Sequence, residues 1–342
     1  MKSLAVKYRP KKFSDVTEQG PVTQMLTNQI ETNSVKNSYL FVGAAGTGKT
    51  TCARIFANAI NKGKGKPIEI DAASNNSVDN VRQIAKASTM RSIDSEYKVY
   101  ILDEVHQFSA GAWAAMLKLI EEPPAKTVFI LCTTDYWKIP KTILSRCQRF
   151  DFSRITSQGI VKRLEKIIGW ENEDLDDKIT YDNSSLDYIA RLSDGCMREA
   201  ITTLDKCLSL SLSLSQTIVE TASGGIPIEK FMSFTDILIS KDQFSFYDVI
   251  EFVENQYALG TDMRQMISDY VEFIMDVIKY QITNSVEYTH LPETSHMNSW
   301  LKKLPMEKDS ELDKLLSKLL TIQSEIKWST NPKVVIEARL MV

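Results

Sequence analysis

Short runs rich in apolar, β-forming residues punctuate the first half of the chain. "SYLFVG" (38–43), "KPIEID" (66–71), "KVYILDE" (98–104) and "TVFILCTT" (127–134) are rich in β-formers, and each precedes a stretch long enough for a helix. Strands alternating with helices predict a parallel sheet covered on both faces, here over residues 1–152. From residue 153 the period lengthens. "ITSQGIVKRLEKII", "SSLDYIARLSD" and "CMREAITTLDKCLSL" read as helices up to about residue 220, and 221–342 is helical too. The expected organisation is therefore an α/β domain over 1–152, an all-α domain over 153–220 and a second all-α domain over 221–342. Within 261–281, Met263, Met266, Ile267, Tyr270, Ile274, Val277 and Ile278 share one helical face. That stripe reads as packing surface, in a core or between subunits, rather than as a ligand box. "LSLSLSLS" (208–215) alternates as a strand does, yet it continues a helix and precedes a turn, so periodicity leaves it unassigned.

Composition narrows the class. A chain of 342 residues is too long for one ordinary core. Its 43% hydrophobic and 25% charged content is that of a soluble globular protein. No stretch approaches the ~18 consecutive apolar residues of a membrane helix. "MKSLAVKYRPKKF" at the N-terminus lacks an apolar segment and cleavage site, so a cytoplasmic location is expected rather than secretion. The five cysteines (52, 132, 147, 196 and 207) form no CxxC pair, which predicts reduced thiols and no zinc site. A net charge of −3 excludes a polycation that coats nucleic acid, so any DNA contact must come from locally placed donors. Lys7, Arg9, Lys11 and Lys12 form one basic cluster; Lys62, Lys64 and Lys66 form another, which reads as solvated surface.

Chemistry enters with "GAAGTGKT", Gly43, Ala44, Ala45, Gly46, Thr47, Gly48, Lys49 and Thr50, set between a β-run and the helical "TTCARIFANAI" that opens with Thr50 and Thr51. It fits GxxxxGK[ST] in the strand–loop–helix context that a phosphate-binding loop requires. Glycines let backbone N–H groups turn inward around phosphate oxygens, and the helix presents its positive end. Lys49 can reach the β- and γ-phosphates, and Thr50 can ligate Mg²⁺. "VYILDE" (99–104) supplies the second part: a buried strand whose carboxyl end presents Asp103 and Glu104. Asp103 suits the metal's water shell, and Glu104 suits orientation and deprotonation of an attacking water. "LCTTD" (131–135) ends another buried run in hydroxyls, a weaker signal on its own. Arg198 is a helical arginine that position alone would not select.

In series, "KYRPKKFSDV" (7–16), "GAAGTGKT", "IEIDAASNNSVDNVRQI" (68–84), "KVYILDEVH" (98–106), "LKLIEEPP" (117–124), "TTDYWKIPKTILSRC" (133–147) and "DGCMREAITTLD" (194–205) resemble the AAA+ ATPases of replication clamp loaders. Within these, the likeness is to the gamma/tau subunits of bacterial DNA polymerase III. It is dense over 4–205 and beyond about 220 rests on helical character alone. The resemblance implies an AAA+ P-loop domain, a helical lid and a helical collar that oligomerises. It implies ATP and Mg²⁺ as ligands, and other loader subunits, a sliding clamp and primer–template DNA as partners. Residue by residue, it makes Arg146 of Ser145-Arg146-Cys147 a finger that reaches a neighbour's γ-phosphate. Cys147 is then a small buried neighbour. Arg198 becomes the lid arginine that senses phosphate in cis, and Thr134, beside Thr133, the strand-end sensor. Tyr8, Arg9, Pro10 and Val16 pack around adenine and ribose. Asn75, Asn76, Ser77, Lys118 and Lys138 face the duplex, where backbone N–H groups can meet phosphate without reading bases.

The chain also departs from the family pattern. "NKGKGKP" (61–67) stands where bacterial relatives carry a four-cysteine zinc module, so no zinc is expected, and a short form without the tau extension is expected. A non-hydrolysing scaffold subunit is disfavoured by intact Lys49, Thr50, Asp103 and Glu104. A recombination motor is disfavoured by the Ser-Arg-Cys and "DAASN" motifs.

Overall fold

The structure, a computed structural model, describes residues 3–90, 92, 94–224, 226–239, 246–285, 288–291, 295–304 and 311–341. The chain divides into two compact units. The first comprises Met1–Asp174 with Ser193–Asp205, the second Leu175–Leu192 with Lys206–Val342.

In the first unit, α1 (Leu4–Lys7) and α2 (Gly20–Glu31) precede β1 (Ser38–Gly43), α3 (Lys49–Ile60) and β2 (Ile68–Asp71). Then come α4 (Val78–Ser88), β3 (Lys98–Asp103), α5 (Ala110–Glu121), β4 (Thr127–Thr133), α6 (Lys141–Leu144), β5 (Gln148–Phe152) and α7 (Ser157–Asp174). The five strands form one parallel sheet in the order β2-β3-β4-β1-β5. All four strands expected from the apolar runs are present. The fifth, β5, is an edge strand whose Phe150 and Phe152 are buried while Arg149 and Asp151 face solvent. Tyr39, Leu40, Phe41, Ile101, Leu102 and Phe129–Cys132 are fully buried, which is why these strands read as continuous apolar runs. Each such side chain contributes about 1.5–3 kcal/mol relative to exposure. On one face Tyr39, Phe41, Phe56, Phe150 and Phe152 pack edge-on or tilted with centroids 5.1–6.4 Å apart. The Tyr39 hydroxyl donates to Gln29 Oε1 at 2.7 Å and so fastens α2 to this face.

In the remainder, β6 (Thr180–Tyr181), α8 (Asn183–Leu192), α9 (Met197–Leu210), β7 (Ser213–Leu214) and α10 (Gln216–Ser223) lead into α11 (Ile228–Ile239) and α12 (Phe246–Ala258). They are followed by α13 (Met263–Thr283), α14 (Ser295–Leu301), α15 (Glu311–Ile326) and α16 (Pro332–Met341). The alternating serine–leucine run is thereby resolved. Its start is the last turn of α9, and Ser213–Leu214 pairs in parallel with Thr180–Tyr181. A region that reads as helical apart from this unassigned run thus contains a two-residue strand pair, with Leu214 buried where the helix has ended. The Met-rich stripe of α13 is core: Met263, Met266, Ile267, Tyr270, Ile274 and Val277 are buried, with Ile278 packed against them. Asp262 caps this helix, accepting from the Arg264 and Gln265 N–H groups.

A charged cluster sits at the edge of that core, with only its carboxylate buried. The buried Asp276 carboxylate accepts from Lys279 Nζ at 2.8 Å, the His290 backbone N–H at 2.8 Å and His290 Nδ1 at 2.9 Å. Burial alone would raise its pKa, but the His290 and Lys279 donors outweigh this and hold it below the usual carboxylate range. The bond to Asp276 raises His290 in turn, against the opposing effect of burial. The depressed carboxyl stabilises above its unfolded pKa, and that contribution is lost as pH falls through the folded value. The raised imidazole stabilises below its unfolded pKa, and that contribution is lost as pH rises through the folded value. The pair therefore helps most between about pH 4 and about pH 6.5. Asp276→Ala is expected to cost about 2 kcal/mol in urea unfolding within that window, with the deficit narrowing on both sides.

Candidate active site

The loop Ala44–Gly48 leaves β1 and enters α3 through backbone that only glycine adopts readily. Gly46 has φ +67°, and a Cβ placed there would lie 2.2 Å from Cys196 Sγ. Gly48, just before α3, has φ +106°. The Thr47 hydroxyl donates to the Ala44 carbonyl at 2.9 Å, and Gln19 Nε2 bridges the Thr47 and Ser153 carbonyls at 3.3 and 2.8 Å. Lys49 is 5% exposed, and its ammonium donates to the Gly43 and Ala44 carbonyls, both at 2.8 Å. Burial pushes the Lys49 ammonium down from its ordinary range, with Asp103 and Glu104 among the charges that oppose the shift. A buried cation that leans on the carbonyls of its own loop gains from an incoming polyanion.

Strand order then brings distant residues together. Because β4 lies between β1 and β3, the hydroxyls at its end stand between the phosphate-type loop and the acidic pair. Thr50 Oγ1 donates to Asp103 Oδ2 at 2.6 Å. Glu104 follows Asp103 in the left-handed region, at φ 49° and ψ 41°, and accepts at Oε2 from Thr134 Oγ1 at 3.1 Å. Asp71, at the end of β2 and level with Asp103, lines the same cleft of about 650 Å³. Ala45, Thr51 and Arg198 line it as well. Arg198 is brought in by the start of α9, where the neighbouring Cys196 packs on Gly46.

The far end of the cleft is built by the N-terminal segment, including Tyr8, Arg9, Pro10 and Val16. Tyr8 stacks on Trp170 of α7 with centroids 5.3 Å apart, and its carbonyl accepts from Arg163 at 2.7 Å. Lys7 pairs with Glu171 at 2.8 Å, and the Leu4 N–H donates to Asp205 at 3.1 Å. Arg163, 7% exposed, lines the cleft and lies over Trp170 at 5.2 Å; burial lowers its pKa. Arg163, Trp170 and Asp71 escape sequence reasoning. Only Asp71 carried a signal, an acid at the carboxyl end of a strand.

Other sequence-predicted residues lie outside the cleft lining. Arg146 follows α6, 40% exposed, where its guanidinium pairs with Glu121 at 2.8 Å and donates to the Thr142 carbonyl at 2.8 Å. Cys147 beside it is partly buried, and burial pushes its thiol up to about 12, so it is an unreactive packing group. Ser77 caps α4, accepting from the Asn80 N–H at 3.3 Å, so the "SNNS" turn does open a helix. Asn75 is committed internally, with N–H and Nδ2 both donating to the Asp71 carbonyl at 3.0 Å. The Asn76 carbonyl accepts from the Ser109 N–H at 3.1 Å. Lys118 is exposed near the end of α5, and exposed Lys138 pairs with Asp135 at 3.1 Å.

These residues fit a nucleoside triphosphate with a divalent cation. The loop turns through left-handed glycines at Gly46 and Gly48, its lysine is buried, and a hydroxyl and a carboxylate meet beside it, a donor set that suits a hydrated cation. Among the described residues no group of three or more His, Cys, Asp or Glu side chains is placed to hold a metal directly.

Comparison with known proteins adds lineage. A family model described as DNA polymerase III, delta subunit, matches residues 66–156. The chain is 35% identical over 364 residues to the DNA polymerase III subunit tau of Bacillus subtilis, spanning 98% of this chain and 62% of that one. It is 28% identical over 364 residues to the DNA polymerase III subunit gamma of Buchnera aphidicola subsp. Acyrthosiphon pisum, spanning 99% and 97% of the two chains. A solved structure of the Thermotoga maritima RuvB Holliday junction branch migration motor superposes with a TM-score of 0.51 at 16% identity, over 75% of this chain and 86% of that one. At that identity the likeness is one of fold alone. With an AAA+ P-loop fold in its first unit and similarity along nearly its whole length, the chain resembles the gamma and tau subunits of DNA polymerase III, though it spans less than two thirds of the Bacillus subtilis relative.

Proposed function

We propose that this chain is an ATP-hydrolysing motor subunit of a clamp loader, acting in the cytoplasm with other loader subunits, a sliding clamp and primer–template DNA. One observation carries the reading. A single cleft gathers Lys49, Thr50, Asp103, Glu104 and Arg198, with Thr134 bonded to Glu104, while Arg146 stands outside it. That division suits catalysis completed by a neighbouring chain.

In this reading the loop N–H groups and Lys49 bind the β- and γ-phosphates, while the N-terminal segment with Tyr8 encloses the base. Thr50 would ligate magnesium and Asp103 would hold its water shell, and the ion would offset the charge of the phosphates. Glu104 takes the proton of the attacking water, Thr134 orients Glu104, and Arg198 reads the phosphate from the lid side. The "SNNS" turn and Lys118 and Lys138 would meet duplex phosphate, giving sequence-independent binding that weakens with salt. Exposed Tyr247, Ile250 and Tyr257 on α12 support a role for the C-terminal helices in assembly.

The test is steady-state ATP turnover by the chain alone, then with candidate partner subunits, clamp and primed DNA. Turnover should rise with the full set. A chain that hydrolyses at its maximal rate alone, indifferent to clamp and primed DNA, contradicts the proposal. A scaffold subunit would hydrolyse nothing in any combination.

A further inference from the structure

We propose that His106 is a positioning residue for Glu104, its Nδ1 edge set against the carboxylate while hydrogen-bonded to the end of β4. The proposal deepens the reading of Glu104 as the group that deprotonates water, and rests on it. Glu104 lies in left-handed backbone at the end of β3, so the pleat of the strand does not dictate where its side chain goes. External tethers must do so. Thr134 Oγ1 supplies one, at 3.1 Å from Oε2. His106 Nδ1 lies 3.3 Å from the same oxygen and 3.2 Å from Thr133 Oγ1. The hydrogen bond from Thr134 and the ring contact from His106 both fall on Oε2, so neither occupies Oε1.

The ring is itself well placed. His106 sits in the short 3-10 turn Val105–Gln107, anchored by fully buried Val105, and its side chain is 10% exposed. Gln107 Nε2, a donor, lies 3.1 Å from His106 Nε2. That ring nitrogen is therefore the acceptor, which puts a proton on Nδ1, in hydrogen-bonding geometry with Thr133 Oγ1. Thr133 Oγ1 is fully buried and also accepts the Asp135 N–H at 3.0 Å, so the ring is keyed to the backbone that leaves β4. Thr134 is exposed, and in the proposed sensor role its hydroxyl would leave Glu104 for a phosphate. His106 then keeps the carboxylate from swinging when that first tether lets go.

The test has two arms. The chain contains three histidines, so ¹⁵N-histidine NMR of the nucleotide-free protein in mildly alkaline buffer can assign each ring. His106 should show the Nδ1–H tautomer; a predominant Nε2–H form overturns the proposal. In the assembled, stimulated complex, His106→Ala should lower kcat about ten-fold with nucleotide affinity unchanged. His106→Asn, whose amide nitrogen takes the place of Nδ1, should restore most of that loss. Wild-type kcat in His106→Ala, or a folded His106→Asn no faster than alanine, overturns it. Failure of the underlying reading looks different: the wild-type assembly itself turns over no ATP.

Discussion

An assembly in which every Arg146 is replaced by alanine should lose DNA-stimulated ATP turnover by about 10³–10⁵-fold while each chain still binds nucleotide normally. The two halves of that expectation have separate structural grounds. Binding is spared because Arg146 contributes nothing to the lining of its own chain's cleft. Turnover suffers because charge spreading over phosphoryl oxygens is stabilised by a guanidinium brought in from outside, and a planar fork of donors suits that task. The resting contacts of Arg146 do not obstruct such a transfer. Its partner Glu121 is 41% exposed, and exposed ion pairs contribute only about 0–1 kcal/mol. Releasing Glu121 for a triphosphate is therefore nearly free. Fluorescent-nucleotide titration and steady-state phosphate release, measured on the same preparation, check both halves. Normal stimulated turnover in a fully substituted assembly would remove Arg146 from the mechanism.

Glu104→Gln should leave the complex loaded with unhydrolysed ATP, with single-turnover phosphate release slowed about 10²–10⁴-fold. Glutamine keeps the size of the side chain and can still accept from Thr134, so the local shape survives. It has no basic oxygen to take a proton, so water stays unactivated. Lys49→Ala makes the informative contrast. It removes a buried cation from the loop and should abolish binding, whereas Glu104→Gln should not. Fast phosphate release from the glutamine variant would mean that another group serves as the base.

Much of the site was readable along the chain because its parts are local. A phosphate-binding loop needs glycines and a lysine at set spacing between a strand and a helix, and all of these fall within Gly43–Thr50. Asp103 and Glu104 announce themselves by ending a buried run. β5 gave no such notice. It is short and lies at the sheet edge, and its charged residues face water, so it lacks the unbroken apolar signature of the central strands. His106 and Thr133 were ordinary polar residues until β4 was placed beside β3. The contact of Arg163 with Tyr8 spans 155 positions, a distance at which no spacing rule operates.

Side-chain periodicity and turn chemistry act over a few residues, so the amino-acid order alone settled the central strands, the apolar stripe of α13 and the phosphate-type loop. Which of those local pieces became neighbours depended on strand order and chain return, which are properties of the packed whole. Only the folded chain placed Thr134 against Glu104, set Cys196 on Gly46, drew the N-terminal segment across α7 and left Arg146 outside the cleft. Burial energy is summed over contacts between distant segments, so no single stretch of sequence carries that information.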